Sequence, residues 1–383
     1  MPGATAREND LQLDNGPLIV YVLLGGNPAP TFLPFSNLAK QYLPDSTLVL
    51  ITDNPDRWSD FKGFIIPYEI TDRHWVIKNL VKRFPEREQI AGGYWIYAVE
   101  RLFALRKLVD YFPIDSTLLH FESDVYACIN NQILQEIRIR SLCTAVPRYS
   151  PTEGIASFLF SPSLQQLSDD LEELAQVLFS SKAWIGDMRL LGIGLDKGII
   201  QELPSHPDSA WTVMETVKQS SNPLNIIFDG LAIGQYLFGQ DPLHANGYRI
   251  SGHLNPYYLF DLEESQWKIS TYADFALPHL SLSHNTADFF ICNIHVHSKE
   301  IIGLIQENSI RWKRVIDEAN QAVGREMSSF VPDIIHSQPI SIINRIRLAR
   351  RNGLLRTVLR LALRICRQAR KRISRFIYQD QRD

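Results

Sequence analysis

The alternation of apolar and polar positions divides the chain into strands that are apolar throughout and helices that are apolar on one side. Leu18–Leu24 (LIVYVLL) is an uninterrupted apolar run, the pattern of a strand buried on both faces. It ends at Gly25-Gly26-Asn27-Pro28, a turn where backbone can approach a ligand. Residues 34–43 carry helical periodicity, and Ser46–Thr52 (STLVLIT) is a second buried strand that stops at Asp53-Asn54-Pro55. This β-α-β opening predicts a mostly parallel sheet with helices on its faces. Residues 95–110 repeat apolar positions at helical spacing, with Glu100, Arg101 and Arg106 interspersed, and Pro113 breaks the pattern. A short strand, Thr117–Phe121 (TLLHF), follows. Further strands are expected at 142–146, 155–160 and 288–297, and helices at 162–180 and 300–325. Pro and Gly cluster at 203–208 and 239–257, so that middle stretch reads as loops.

In open parallel sheets ligands bind beyond the carboxyl ends of the strands, and the polar residues at those ends are therefore the candidates. Gly25, Gly26 and Asp53 follow the first two strands. His120-Phe121-Glu122-Ser123-Asp124 follows TLLHF, and two carboxylates at i and i+2 can converge on a hard divalent cation. Taken alone the triplet is weak, because 42 Asp and Glu produce chance matches; its place after a buried strand raises its weight. Asn293-Ile294-His295-Val296-His297-Ser298-Lys299 would put both imidazoles on one strand face, and one of them as a further ligand of the same ion is the simplest account. A half-buried strand with a polar edge explains that segment equally well. Asp229, in Phe228-Asp229-Gly230, stands where it either caps a following helix or, with Gln235, meets a sugar or acceptor. Asp187, in Gly186-Asp187-Met188, has the same two readings.

Composition narrows the class. The 383 residues are 45% hydrophobic and 21% charged, as in an ordinary globular protein. Cys128, Cys143, Cys292 and Cys366 form no close pair, which argues against a disulfide framework or thiolate zinc and suits a reducing compartment. The first 16 residues are polar and read as a flexible leader with no secretory signal, so a cytoplasmic location is expected. The absence of a G-x-G-x-x-G fingerprint and of a Walker loop weakens dinucleotide oxidoreductase and kinase readings.

The net charge of −3 hides an asymmetry. Residues 341–383 hold 13 Lys/Arg and two Asp, a net of +11, while the rest of the chain carries 26 basic and 40 acidic residues. From Leu354 onward, Arg356, Arg360, Arg364, Arg367, Lys371 and Arg375 fall in one helical stripe, with Leu355, Val358, Leu359, Ala362, Ile365, Ala369, Ile373 and Phe376 opposite. The expectation is a basic amphipathic helical tail over 341–383 that seats the protein on an anionic membrane surface. Packing of that stripe on the acidic remainder of the chain is the competing account. Nucleic acid, which would be bound only without sequence specificity, ranks below both.

HFESDV with GIASFLF resembles the DxD region of GT-A glycosyltransferases. YWIYAVERLFALRKL, FDGLAIGQYLFGQDP and NIHVHSK resemble further blocks of bacterial polysaccharide and lipopolysaccharide members, in the same order and over roughly residues 17–300. The resemblance implies a Rossmann-like GT-A catalytic domain over 17–335. It would hold Mn²⁺ or Mg²⁺ through Glu122, Asp124 and His295 or His297, and a nucleoside-diphosphate sugar through Gly25, Gly26, Asp53, Glu122, Lys299 and Gln235. Asp229 and Asp187 are the implied catalytic carboxylates. The acceptor would be a saccharide or lipid-linked saccharide, and retention of configuration is favoured by analogy with relatives of the glycogenin kind. Glu in place of the first Asp of DxD departs from the family pattern and leaves that residue's contact, to metal or to ribose, open. Two other classes fit the same residues: a catalytically silent nucleotide-sugar-binding protein, and a metal-dependent hydrolase or nucleotidyltransferase.

Overall fold

The computed structural model describes residues 16–25, 32–89, 93–213, 224–234, 266–270, 279–284 and 287–296. The opening apolar run forms β1 (Leu18–Leu23), buried at every position but the last. After α1 (Phe32–Tyr42), β2 (Thr47–Thr52) pairs with β1 in parallel, and β3 (Phe64–Pro67) adds in parallel to β2. Then come α2 (Trp75–Arg83), the single turn α3 (Glu86–Gln89) and α4 (Tyr94–Ala104). The periodicity over 95–110 divides in the structure: α4 ends at Ala104, and Leu105–Asp110 tightens into 3₁₀ turns. The chain then returns as β4 (Leu118–Phe121), parallel to β1 on its other side.

Beyond the acidic triplet run β5 (Val125–Ala127), α5 (Asn131–Arg140), β6 (Ala145–Ser150), β7 (Glu153–Gly154) and β8 (Phe158–Ser161). The helices α6 (Leu164–Ser180) and α7 (Asp187–Lys197) and the short β9 (Gln201–Leu203) complete this layer. Among the described residues the central sheet has eight strands in the order β3-β2-β1-β4-β8-β6-β7, with β9 beside β6. Only β8 and β7 run against the others. The fold is therefore mixed α/β around a mostly parallel sheet.

Successive residues of one strand face opposite sides of that sheet, and β1 builds two cores at once. Leu18, Val20 and Val22 pack with Val76 and Leu80 of α2, Val99 and Leu102 of α4, and Leu167 and Leu171 of α6. Ile19 and Tyr21 pack with Phe32 and Ala39 of α1 and Ile133 and Ile137 of α5. Burial of each such side chain stabilises the fold by about 1.5–3 kcal/mol relative to exposure. The helices start where their caps allow: Asn130 Oδ1 accepts from Ile133 N at 2.9 Å before α5, and Ser163 Oγ accepts from Gln166 N at 3.0 Å before α6.

A smaller sheet contains β10 (Trp211–Val213), β11 (Leu224–Ile227), β12 (Gln266–Ser270), β13 (His279–His284) and β14 (Ala287–Ile291), ordered β10-β11-β14-β13-β12. The single strand expected over 288–297 is two. At Cys292 the chain leaves this sheet: its N–H donates to Ile227 O (2.9 Å), and its carbonyl accepts from Cys128 N (2.8 Å). The next three residues form β15 (Asn293–His295), which pairs antiparallel with β5. The polar leader through residue 15, the helix expected over 300–325 and the basic tail 341–383 lie outside the described residues.

His74 caps α2, its Nδ1 accepting from Val76 N at 3.5 Å. Burial, aided by the nearby Arg106 guanidinium, holds its pKa below the ordinary histidine value, against the opposing pull of Glu172. A depressed histidine pKa means that the unfolded chain binds the proton more tightly. This contribution to stability is therefore complete above about pH 6.5 and is lost as pH falls below it. Protonation also abolishes the Nδ1 acceptor. His74→Asn keeps a capping acceptor without the titration, and urea denaturation between pH 7 and 5 should show a shallower loss of stability in the variant than in the parent. Identical pH slopes would refute the assignment.

Candidate active site

The residues following β4 form a tight turn. Glu122 N donates to Ser157 O (3.3 Å), and Val125 N closes back on Glu122 O (3.1 Å). The turn directs both carboxylates toward β15, where His295 stands opposite Val125 in the ladder. His295 Nε2 lies 3.2 Å from Asp124 Oδ1 and 3.4 Å from Glu122 Oε2. One ligand atom from each of Glu122, Asp124 and His295 falls within 4.8 Å of the other two, close enough for one small cation to be shared. The two carboxylate oxygens suit a hard cation such as Mn²⁺ or Mg²⁺, and the imidazole favours Mn²⁺ of the two.

Opposing charges set the electrostatics. Burial works against a charged His295, but Asp124 and Glu122 outweigh it and push its pKa up to about 9. Burial would raise Glu122; the neighbouring Arg101 guanidinium and His295 pull it below the usual carboxylate value instead. Arg101, on α4, pairs with Glu122, its Nη2 standing 2.9 Å from Glu122 Oε1 and 3.8 Å from Asp187 Oδ2. Asp187 occupies the first turn of α7, after Gly186. Its carboxyl is raised by burial and by the Glu122 charge, with Arg101 acting in the opposite sense.

A second feature opens at the carboxyl ends of β1 and β2. Gly25 has φ +67°, a left-handed backbone in which a side chain is strained, and its N–H donates to Asp53 Oδ2 at 2.7 Å. A Cβ on Gly25 would sit 2.1 Å from the Tyr97 ring. Leu23, Gly25, Thr52, Asp53, Asn54, Arg57 and Trp58 line a cleft of about 310 Å³. Tyr97 and Arg101 are one turn apart on the same side of α4. One helix therefore packs against Gly25 through Tyr97 and reaches the acidic cluster through Arg101.

The candidates named from the sequence separate into three groups. Glu122, Asp124, His295 and Asp187 gather around Arg101, and Gly25 and Asp53 meet at the cleft. Asp229 meets this cluster at His295, whose pKa its charge also helps to raise: it is fully buried, and both its oxygens accept backbone N–H groups, from Ile233 (3.0 Å), Gly234 (2.8 Å) and His295 (3.0 Å). Gly26, Gln235, His297 and Lys299 lie outside the described residues. Arg101 was not singled out from the sequence. Its signal there is a guanidinium at a helix position otherwise surrounded by Ala98, Val99, Leu102 and Phe103.

No protein-family model matches the chain, and no curated protein matches it. Among solved structures it is similar to mouse xyloside xylosyltransferase 1 in its apo form, with 12% identity over 49% of this chain and 85% of that one, at a TM-score of 0.31. It is also similar to the glycosyltransferase GlyE of Streptococcus pneumoniae TIGR4, with 14% identity over 49% of this chain and 45% of that one, at 0.33. The third is the galactosyltransferase LgtC crystallised with donor and acceptor sugar analogs, with 15% identity over 50% and 76%, at 0.31.

Arg101→Gln removes the cation that faces three carboxylates. The pair is partly solvated, so the expected loss is about 1–2 kcal/mol in chemical denaturation, less than for a fully buried pair. Adding Glu122→Gln should restore part of it, because the double variant leaves two carboxylates without the guanidinium instead of three. Additive losses in the double variant would show that the two side chains do not interact.

Proposed function

We propose that the protein is a metal-dependent glycosyltransferase that moves a sugar from a nucleoside-diphosphate donor to a hydroxyl of a saccharide or lipid-linked saccharide. The observation that supports it most directly is the meeting of Glu122, Asp124 and His295 at the carboxyl edge of a mostly parallel sheet, beside a cleft formed at the ends of β1 and β2. The motif resemblance to the GT-A fold supplies the class. On this reading Asp124, Glu122 and His295 hold Mn²⁺ or Mg²⁺. A divalent ion in that place supplies charge neutralisation for a departing diphosphate.

The chain's own groups have separable tasks. The cleft at Gly25 and Asp53 receives the nucleoside, and glycine is needed there because the left-handed backbone packs directly against the Tyr97 ring. Arg101 neutralises Glu122 and Asp187, keeping three carboxylates together without an excess of negative charge. Asp187, the carboxylate 3.8 Å from Arg101, is assigned to a sugar hydroxyl by the resemblance. Lys299 and Gln235 are assigned to the diphosphate and the sugar by the resemblance alone. Preorganised charge of this kind is the usual source of most of the rate enhancement in such transfers.

The test is purified protein with Mn²⁺ and a panel of nucleotide-sugars, with and without saccharide acceptors. Release of nucleoside diphosphate is expected, and Asp124→Ala should lower it at least 100-fold while the circular dichroism spectrum is retained. Nucleotide binding without turnover for every donor would favour the silent binding protein, and release of monophosphate or pyrophosphate the hydrolase or nucleotidyltransferase. Full activity in Asp124→Ala would remove the site assignment.

The basic segment 341–383 completes the proposal as a peripheral seat on an anionic membrane at its cytoplasmic face. No helix among the described residues is long and apolar enough to cross a membrane. Deletion of 341–383 should shift the protein from sedimentation with phosphatidylserine vesicles to the supernatant. Unchanged co-sedimentation would exclude the tail as the seat.

A further inference from the structure

We infer that Asp229 is a positioning residue that fixes the backbone of His295, and through it the imidazole of the proposed metal site. The inference rests on that metal reading and assigns Asp229 a role other than contact with sugar or acceptor.

The sequence places Phe228-Asp229-Gly230 directly after β11, and helical backbone begins beyond it at Ala232. Asp229 Oδ1 accepts the Ile233 N–H, and Oδ2 accepts those of Gly234 and His295. The first two bonds satisfy open N–H groups of the helix's first turn, from a residue two places before the N-cap position. The third reaches 66 residues along the chain to the proposed metal ligand itself. The hold is returned from the other side, where Asp229 N donates to Asn293 Oδ1 at 3.1 Å, two residues before His295. A carboxylate that accepts three backbone N–H groups at 2.8–3.0 Å uses most of its acceptor capacity on its neighbours, and with no exposed surface it presents none to a substrate.

Two further features fit a brace. A Cβ on Gly234 would stand 1.8 Å from His295 O, so the capped turn and β15 touch backbone to backbone. Leu231, between Asp229 and the turn, holds φ +86°, a conformation that costs a non-glycine residue of order 1 kcal/mol or more and persists only where its surroundings impose it. The strained turn, the buried carboxylate and the ligand strand form one unit. Groups that orient a metal-binding histidine typically change metal affinity 10–100-fold when altered; most act through the free ring nitrogen, whereas this one acts through the main chain.

The experiment compares full-length parent and Asp229→Asn for Mn²⁺ binding by isothermal titration calorimetry. Pulsed electron paramagnetic resonance reports the coupling between bound Mn²⁺ and an imidazole nitrogen. The expected result is an approximately 10-fold weaker affinity with diminished nitrogen coupling and a folded protein. Asp170→Asn is the control: Asp170 is also buried and accepts a backbone N–H, from Thr144 at 2.8 Å, away from the cluster. It should lower the melting temperature and leave Mn²⁺ affinity and nitrogen coupling unchanged. Parental affinity and coupling in Asp229→Asn would overturn the inference, as would an equal loss of affinity in Asp170→Asn. Should Asp229→Asn not fold, Asn293→Ala carries the test, with a several-fold loss expected and parental affinity overturning. Failure of the parent itself to bind Mn²⁺ would instead overturn the metal reading.

Discussion

The arrangement depends on a strand of three residues. β15 leaves the smaller sheet at Cys292 and pairs with β5, held at one end by Cys128 N to Cys292 O and at the other by Val296 N to Asp124 O, both 2.8 Å. Without that pairing, Asp124 and His295 belong to segments 171 residues apart in sequence with no reason to meet. With it, the main-chain bond at Asp124 brings the carboxylate under His295 Nε2. Directional backbone bonds fix register within a fraction of an ångström, which a cation shared by two segments needs.

The cores place that ladder. Phe121 packs on Phe158 with ring centroids 5.2 Å apart, and Phe158 stacks on Phe228 at 5.1 Å. Each outer ring immediately precedes an acidic residue of the region, Glu122 or Asp229. The buried aromatic stack therefore sets the spacing between the turn that carries the acidic cluster and the turn that braces His295. Close-packed interiors resist such displacement, so burial well below the site becomes positional accuracy within it. Arg101 adds the charge balance. A cluster of Glu122, Asp124 and Asp187 would repel itself if left alone, and its partial burial would raise the cost.

Much of this fold is legible in the residues, and the reasons are local. β1 and the four central residues of β2, Leu48–Ile51, form unbroken runs of large hydrophobic side chains because both faces are covered, so the strands and their parallel pairing follow from the β-α-β spacing. The i, i+2 carboxylates after β4 stand out for the same reason: they are the first charges after a buried run. The break at Cys292 does not stand out, since DFFICNIHVH continues its apolar pattern across the point where the chain changes sheets. The hydrogen bonds that make the switch come from Ile227 and Cys128, far away in sequence. Asp229 shows a deeper limit. Capping and substrate contact require the same residue type at the same place, and only the three N–H groups around its oxygens distinguish them. α7 is obscured by Gly192 and Gly194 within it, and Arg101 by a helix whose other residues read simply as core.

The central claim is that one cation is gripped jointly by the acidic turn and by β15. A crystal of the protein soaked with Mn²⁺ and uridine diphosphate tests it most directly through anomalous scattering at the manganese edge. The account predicts one strong peak with Asp124 and His295 bonded to it at roughly 2.0–2.3 Å, and the diphosphate on the side facing the Gly25 cleft. A peak elsewhere, or bound nucleotide with no metal between it and Asp124, would contradict it.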